Sequence, residues 1–192
     1  MFTMLTLPEE LLRDVLSHFL TVDEEKFCAF PEHGYLRKRQ AWTSDRRNSS
    51  RSDVLLVSKQ WLRIGTPVLY EKVAFREAAH TKAVAELVKA NPAVGRAIKY
   101  LRLEGGMGKD LVTIVKYAPN IHTLWITPHV RASESITGLR KTIALLQPRK
   151  LYFFLMAYIR GNKTEDEIQR LIAPCIARSW ASLVSTFFVR HL

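Results

Sequence analysis

The feature that most constrains this chain is an apolar arc too wide for a single core. In LPEELLRDVLSHFL, residues 7–20, Leu7, Leu11, Leu12, Val15, Leu16, Phe19 and Leu20 recur at helical spacing. At ~100° per residue they sweep roughly 220° of the circumference, whereas a surface helix commits a stripe of little more than ~100° to its own core. Two surfaces are therefore required. One flank is expected to pack on a helix read at 54–64. The other faces either the following segment, folded back over it, or a second protein. Pro8 suits the first turn, where its missing N–H costs nothing. Thr6 and Glu9 have capping-box spacing, and a cap one residue later fits equally.

Residues 21–51 break the periodicity. They contain Pro31, Gly34, the basic cluster Arg37, Lys38, Arg39, Arg46, Arg47 and Arg51, and the triplet Asn48-Ser49-Ser50. The reading is a long exposed insertion holding at most a short helix around 35–42, because structureless loops of this length are uncommon inside a domain. Ser52-Asp53 then offers a cap for a helix carrying Val54, Leu55, Leu56, Val57, Trp61, Leu62 and Ile64, which Gly65 can end. Thr66-Pro67 opens a further turn, and 72–75 reads as a strand.

From residue 76 the pattern changes to helix followed by strand, three times over. KAVAELVKAN leads to IKYLRLE, KDLVTIVKYA to NIHTLWIT, and ESITGLRKTIALLQ to RKLYFFLM. Leu101, Leu124 and Leu151 fall at equivalent places, 23 and 27 residues apart. These steps lie within or close to the ~20–29 residue period of leucine-rich repeats. A helix–strand unit cannot bury its apolar face alone, so neighbouring units must stack. The last segment, 164–192, opens with Thr164 and Glu167 in capping-box spacing. It continues at helical spacing through Phe187 and Phe188, with Pro174 expected to kink or split it. It reads as a helical cap on the open end of the array, on a chain short enough to be a fragment of a longer one.

With 192 residues, 47% of them hydrophobic and 24% charged, the chain can bury a core as one domain or two small ones. No apolar run approaches the ~18–20 residues of a membrane span, and the N-terminus lacks a basic region before an apolar one. Two cysteines, Cys28 and Cys175, with no metal-type pairing point to a reduced, intracellular compartment, cytoplasmic or nuclear. The net charge of +11 is uneven: residues 1–36 are acidic and the cluster at 37–51 is basic. A solvated loop explains that cluster better than nucleic-acid binding does, and its serines are candidates for phosphorylation. EGGMGKD at 104–110 lacks two positions of a phosphate loop, with Leu103 where a glycine is needed and Asp110 where Ser or Thr is needed. It reads as a strand-to-helix turn. Neither a Ser/His/Asp arrangement nor a metal-ligand pattern can be assembled, so the chain is read as non-enzymatic and without a cofactor.

Three stretches share an order that resembles an F-box. Its Leu-Pro-x-Glu-Leu-Leu opening, as matched here, is Leu7, Pro8, Glu10, Leu11 and Leu12, followed by the aliphatic pair Val15 and Leu16. A later Val57, Ser58, Lys59 and Trp61, and then Leu69-Tyr70, complete the pattern. The chain looks most like F-box-plus-repeat proteins of the fungal type. The resemblance implies a three-helix F-box-like module at 1–75, with the insertion at 21–51, followed by a leucine-rich-repeat-like α/β solenoid at 76–192. It also implies a substrate-recruiting role in an SCF-type cullin–RING ubiquitin ligase. The module would bind a Skp-family adaptor, and through it a cullin, by Leu7, Pro8, Glu10, Leu11, Leu12, Val15, Leu16, Leu55, Val57, Ser58 and Trp61. The repeats would hold a protein substrate whose identity the residues do not reveal. Trp125 is a candidate contact there if exposed, and core packing is its other reading. The insertion departs from the short loop usual between the first two F-box helices. Since closure costs only ~0.6 kcal/mol per doubling of loop length, the helices can still pair. The alternative function is a repeat-based scaffold that joins no ligase.

Overall fold

Residues 9–20 contain neither glycine nor proline, and Val15 is their one β-branched member. They form α1, Glu9–Leu20, in the computed structural model, which describes residues 7–29, 51–128, 130, 133–156 and 163–191. Pro8 occupies the position before the first helical residue rather than the first turn, with no side-chain cap. Glu9 and Glu10 in the first turn complement the helix dipole. Thr6, and with it the capping box, lies outside the described residues, as does the short helix expected at 35–42. A second helix, α2, Glu24–Cys28, begins the stretch read as irregular. The chain divides into two units, Met1–Tyr70 and Glu71–Leu192. The strand at 72–75 thus belongs with the sheet of the second unit, and the division falls five residues before the boundary read from sequence.

The single helix expected at 54–64 is two elements. Arg51–Leu56 is a 3₁₀ turn, and α3 runs Lys59–Leu69. The reason is the cap: Ser58 is extended and its side chain accepts a hydrogen bond from the Trp61 amide at 3.2 Å, so the helix starts after Ser58 and not at Asp53. Gly65 does not end α3 but is buried within it. A Cβ there would sit 2.3 Å from Leu55 Cδ2 and 3.2 Å from both Leu16 and Leu20. The glycine is spent on close packing, and α3 passes through Pro67 to Leu69. Proline removes one hydrogen bond there, close to the helix end. Leu12, Leu16 and Leu20 from α1 close a core with Leu55, Ile64 and Val68, and Val54, Trp61 and Leu69 pack against it.

In the second unit five strands form one parallel sheet in chain order: β1 Lys72–Phe75, β2 Tyr100–Leu103, β3 Thr123–Ile126, β4 Lys150–Met156 and β5 Ser185–His191. The helices between them are α4 Ala78–Ala90, α5 Pro92–Ala97, α6 Asp110–Tyr117, α7 Thr137–Thr142 and α8 Lys163–Pro174. Leu101, Leu124 and Leu151 are direct register partners, so the alignment made on sequence is the alignment of the sheet. A backbone ladder repeats with the same steps. The carbonyls of Glu71, Lys99, His122 and Arg149 each accept hydrogen bonds from two consecutive amides at the start of the next strand, at 2.7–3.2 Å. Asn91 both ends α4 and caps α5, accepting from the Ala93 amide at 3.2 Å.

Side chains alternate across a strand, so the register sorts the sheet into faces. One face carries the rows Val73, Leu101, Leu124, Leu151 and Phe75, Leu103, Ile126, Phe153, all buried. The other carries Lys72, Tyr100, Thr123, Lys150, Ser185 and Ala74, Arg102, Trp125, Tyr152, Phe187. Residues 101–103 and all of β3 are buried on both faces, as parallel strands characteristically are.

Two helical expectations are corrected. The helix at 134–147 is confined to Thr137–Thr142, where Thr137, Gly138 and Thr142 are weak helix formers and Pro148 lies just beyond. The segment 164–192 is not one helical cap: α8 ends at Pro174, a π turn spans Cys175–Ser179, and Ser185–His191 is β5. Buried Trp180 fixes the reversal. Its Nε1 donates to the Ile143 carbonyl at 3.2 Å and its amide to Cys175 at 2.9 Å. The threonine and aromatics of STFFV, which satisfy a helical spacing, have the propensity of a strand.

Candidate functional site

Within α1 the expected double face is present. Leu12, Leu16 and Leu20 are at most 5% exposed, while Leu11, Val15 and Phe19 are 52%, 54% and 55% exposed. Each set has i, i+4, i+8 spacing, and the centres of the two rows are ~100° apart around the axis. Leu7 and Val22 continue the exposure at either end, at 46% and 37%. The helix is closed at its C-terminus, where the Thr21 amide and hydroxyl donate to the Ser17 carbonyl at 3.0 and 2.6 Å. Leu56, Val57 and Leu62 add exposed apolar surface around the start of α3, at 81%, 64% and 49%.

The expected partner-binding residues divide accordingly. Leu7, Pro8, Glu10, Leu11, Val15, Val57 and Ser58 are exposed. Leu12, Leu16 and Leu55 are not available to a partner, because their side chains form the core of the unit. Trp61 is half-buried against that core and steadies it. Ser58 acts on its own chain as the cap of α3. Sequence reasoning left Phe19, Leu56 and Leu62 out of the contact set. Phe19 was legible in the wide arc; Leu56 and Leu62 were hidden by reading 54–64 as one helix with one buried face.

α1 and α3 also border a cleft of mixed character lined by Glu9, Glu10, Arg13, Asp14, Arg63, Ile64 and Pro67. Arg63 and Glu9 are ion-paired across it, and both are more than half exposed, so the pair contributes little.

In the second unit Trp125 is fully buried. Its ring lies under the Arg102 guanidinium at 3.9 Å and stacks on Phe154 at 6.1 Å. Trp125 is therefore not a surface contact for a substrate, and core packing is its role. Arg102 is held by buried Glu104 at 2.5 Å, and Glu104 also accepts from Arg76 at 2.9 Å. The glycine turn after β2 is likewise structural. Gly106 has φ +66°, its amide donates to Glu134 at 2.7 Å, and its carbonyl accepts from Thr81 at 2.9 Å. A carboxylate on that amide leaves an anion no place.

Cys28 and Cys175 are free and buried, and burial raises the Cys175 thiol above its ordinary pKa. No group of three or more His, Cys, Asp or Glu suited to a metal gathers among the described residues. Among these residues no helix is long and apolar enough to cross a membrane. No protein-family model, curated protein or solved structure matches the chain.

Proposed function

We propose that this protein is the substrate-recruiting subunit of an SCF-type cullin–RING ubiquitin ligase. Its first unit acts as an F-box-like module that docks a Skp-family adaptor, and its second as a short leucine-rich-repeat-like solenoid that holds a protein substrate. The observation that carries this reading is the exposed row Leu11, Val15 and Phe19 on a helix whose other row already fills its own core. The five parallel strands in chain order, with Leu101, Leu124 and Leu151 in register, support the repeat reading.

Full burial of an aliphatic side chain is worth ~1.5–3 kcal/mol. Leu11, Val15 and Phe19 are about half exposed, so each has roughly 1 kcal/mol still to gain on docking. Replacing two of them by aspartate removes that gain and buries charge, which weakens capture ~100-fold or more. The test is co-expression with a Skp-family adaptor followed by affinity capture. The wild-type chain retains the adaptor, and Leu11→Asp/Val15→Asp loses it while its thermal melt stays in place. A wild-type chain that retains no adaptor supports the alternative, a repeat scaffold outside any ligase, and overturns the proposal.

A further inference from the structure

The sheet ends on β5, and among the described residues no strand lies beyond it. The two outer strands differ in length: β1 has four residues and β5 has seven. Shortness is one way an edge is blunted, and proline is another. β5 is not short, and Ser185–His191 contains neither proline nor glycine and no acid. Its pairing with β4 runs through seven register positions, against four in each of the other ladders. In a parallel ladder, alternate residues turn both backbone groups to the same neighbour. The Ser185 amide donates to the Arg149 carbonyl at 3.2 Å, so Ser185, Phe187, Val189 and His191 serve β4. The amides and carbonyls of Thr186, Phe188 and Arg190 therefore point outward, along a strand of ~23 Å at ~3.3 Å per residue.

Apolar exposure gathers at the same edge. Of the three exposed large hydrophobic residues described in the second unit, Val184 immediately precedes β5 and Phe187 lies on it, at 81% and 43% exposed. Phe187 stacks on Tyr152 of β4, ring centroids 4.6 Å apart and planes 9° apart. A strand laid along β5 places a side chain beside Phe187 on that face, where an aromatic or β-branched residue adds cross-strand contact. Charge then selects among guests. Residues 71–192 hold nineteen Lys and Arg against nine Asp and Glu. However the ion pairs are shared out, ten positive charges remain in surplus. A second copy brings the same surplus and is repelled, whereas an acidic guest is attracted.

We infer that the outer edge of β5 takes up, as an added strand, an extended acidic segment of another polypeptide, about six or seven residues long, with an aromatic or β-branched residue beside Phe187. The inference gives the substrate of the second unit a chemical class, and rests on the proposed function only in calling that guest a substrate. The test uses the full chain and the fluorescein-labelled peptide Glu-Asp-Thr-Val-Phe-Val-Thr-Glu-Asp, read by anisotropy. Main-chain pairing has a period of two. N-methylation of one alternate set of the peptide's amides is expected to lower affinity at least tenfold, and of the other set less than twofold. Thr186→Pro removes an outward amide without taking a bond from β4, and is expected to lower affinity at least tenfold with the thermal melt in place. Phe187→Ser is expected to lower it several-fold. Binding is expected to weaken as salt rises, and the peptide with lysine for every acid to bind at least tenfold more weakly. No binding, equal effects of the two methylated sets, equal binding of the lysine peptide, or undiminished binding by a folded Thr186→Pro each overturns the inference. A chain that is dimeric by light scattering and monomeric as Thr186→Pro assigns the edge to a second copy and overturns it too. If Thr186→Pro melts early, the methylated peptides on the wild-type chain decide. Leu11→Asp/Val15→Asp is expected to bind the peptide normally, so failure of adaptor docking and failure of this edge give different results.

Discussion

The two units treat apolar surface in opposite ways. Of the eleven large hydrophobic residues that are exposed among the described ones, eight lie between Leu7 and Leu62 and three lie in the second unit. The first unit is the smaller, so its excess is not a matter of size. In the second unit, successive strands and helices cover one another, and β3 is buried throughout. In the first, three elements enclose one small core, and among the described residues a further apolar row stays exposed. The parallel sheet and its helices bury most of each other's apolar surface, whereas the described part of the first unit leaves an apolar row exposed beside its core.

The sharpest way to break this contrast is to place a charge on each row of α1. Leu16 is fully buried, and Leu16→Asp strands a carboxylate in the core, with a loss of at least ~4 kcal/mol and unfolding of the first unit. Leu11→Asp, on the neighbouring exposed row, should move stability by no more than ~0.5 kcal/mol. Urea unfolding followed by circular dichroism checks both, and equal effects would dissolve the distinction between the rows. The corresponding charge in the second unit is Glu104, buried with Arg102 and Arg76. Arg76 is partly exposed and takes up some of the change, so Glu104→Gln should cost ~3 kcal/mol rather than more, confined to the second unit's transition.

Glycine substitutions sharpen the same comparison at lower amplitude. A Cβ on Gly138 would meet the backbone carbonyl of Gly108 at 1.8 Å, where only a backbone shift relieves it. A Cβ on Gly65 would meet the end of the Leu55 side chain, which can turn aside, and alanine also gains helix propensity of ~1 kcal/mol. Gly138→Ala should therefore cost ~3 kcal/mol and Gly65→Ala ~1 kcal/mol, measured as separate shifts in denaturant midpoint. The reverse order would mean that the second unit's glycine turn is the more yielding of the two.

What was legible in the sequence follows the same division. Period and register were readable because the rows Val73, Leu101, Leu124, Leu151 and Phe75, Leu103, Ile126, Phe153 repeat one buried face from β1 to β4, so Leu101, Leu124 and Leu151 identified themselves. The two rows of α1 were readable because seven apolar residues cannot share one stripe. The unread parts are those where a residue has two physical uses. Gly65 ends helices in general but here admits Leu55. Ser58, rather than Asp53, became the cap because the 3₁₀ turn placed it in an extended conformation. Phe187 and Phe188 fit a helical spacing, yet β5 forms because the edge of β4 offers seven register partners and the Trp180 turn delivers the chain to it. Trp125 was ambiguous because a strand position reveals alternation but not what covers each face. The contact set was overfilled with Leu12, Leu16 and Leu55 because a motif groups residues by position, whereas burial separates neighbours ~100° apart on a helix.

The smallest expected effect concerns pH. Cys175 opens the π turn after Pro174, is buried, and donates from Sγ to the Leu171 carbonyl at 3.3 Å. Burial disfavours the thiolate and raises the thiol's pKa above its ordinary value in the folded chain. A group raised on folding contributes stability that is fully present below its unfolded pKa. As pH climbs past ~8.5–9, the unfolded chain ionises first and gains free energy that the folded chain does not, so stability declines toward the folded pKa. The expected result is a shallow alkaline loss of stability in the second unit's transition, absent in Cys175→Ala. Native Cys175 should also react with a thiol reagent far more slowly than the same residue in the unfolded chain. Rapid native alkylation at pH 8 would mean that the α8–β5 connection opens readily. In that case the second unit would share the first unit's accessibility, and the contrast between them would be one of degree.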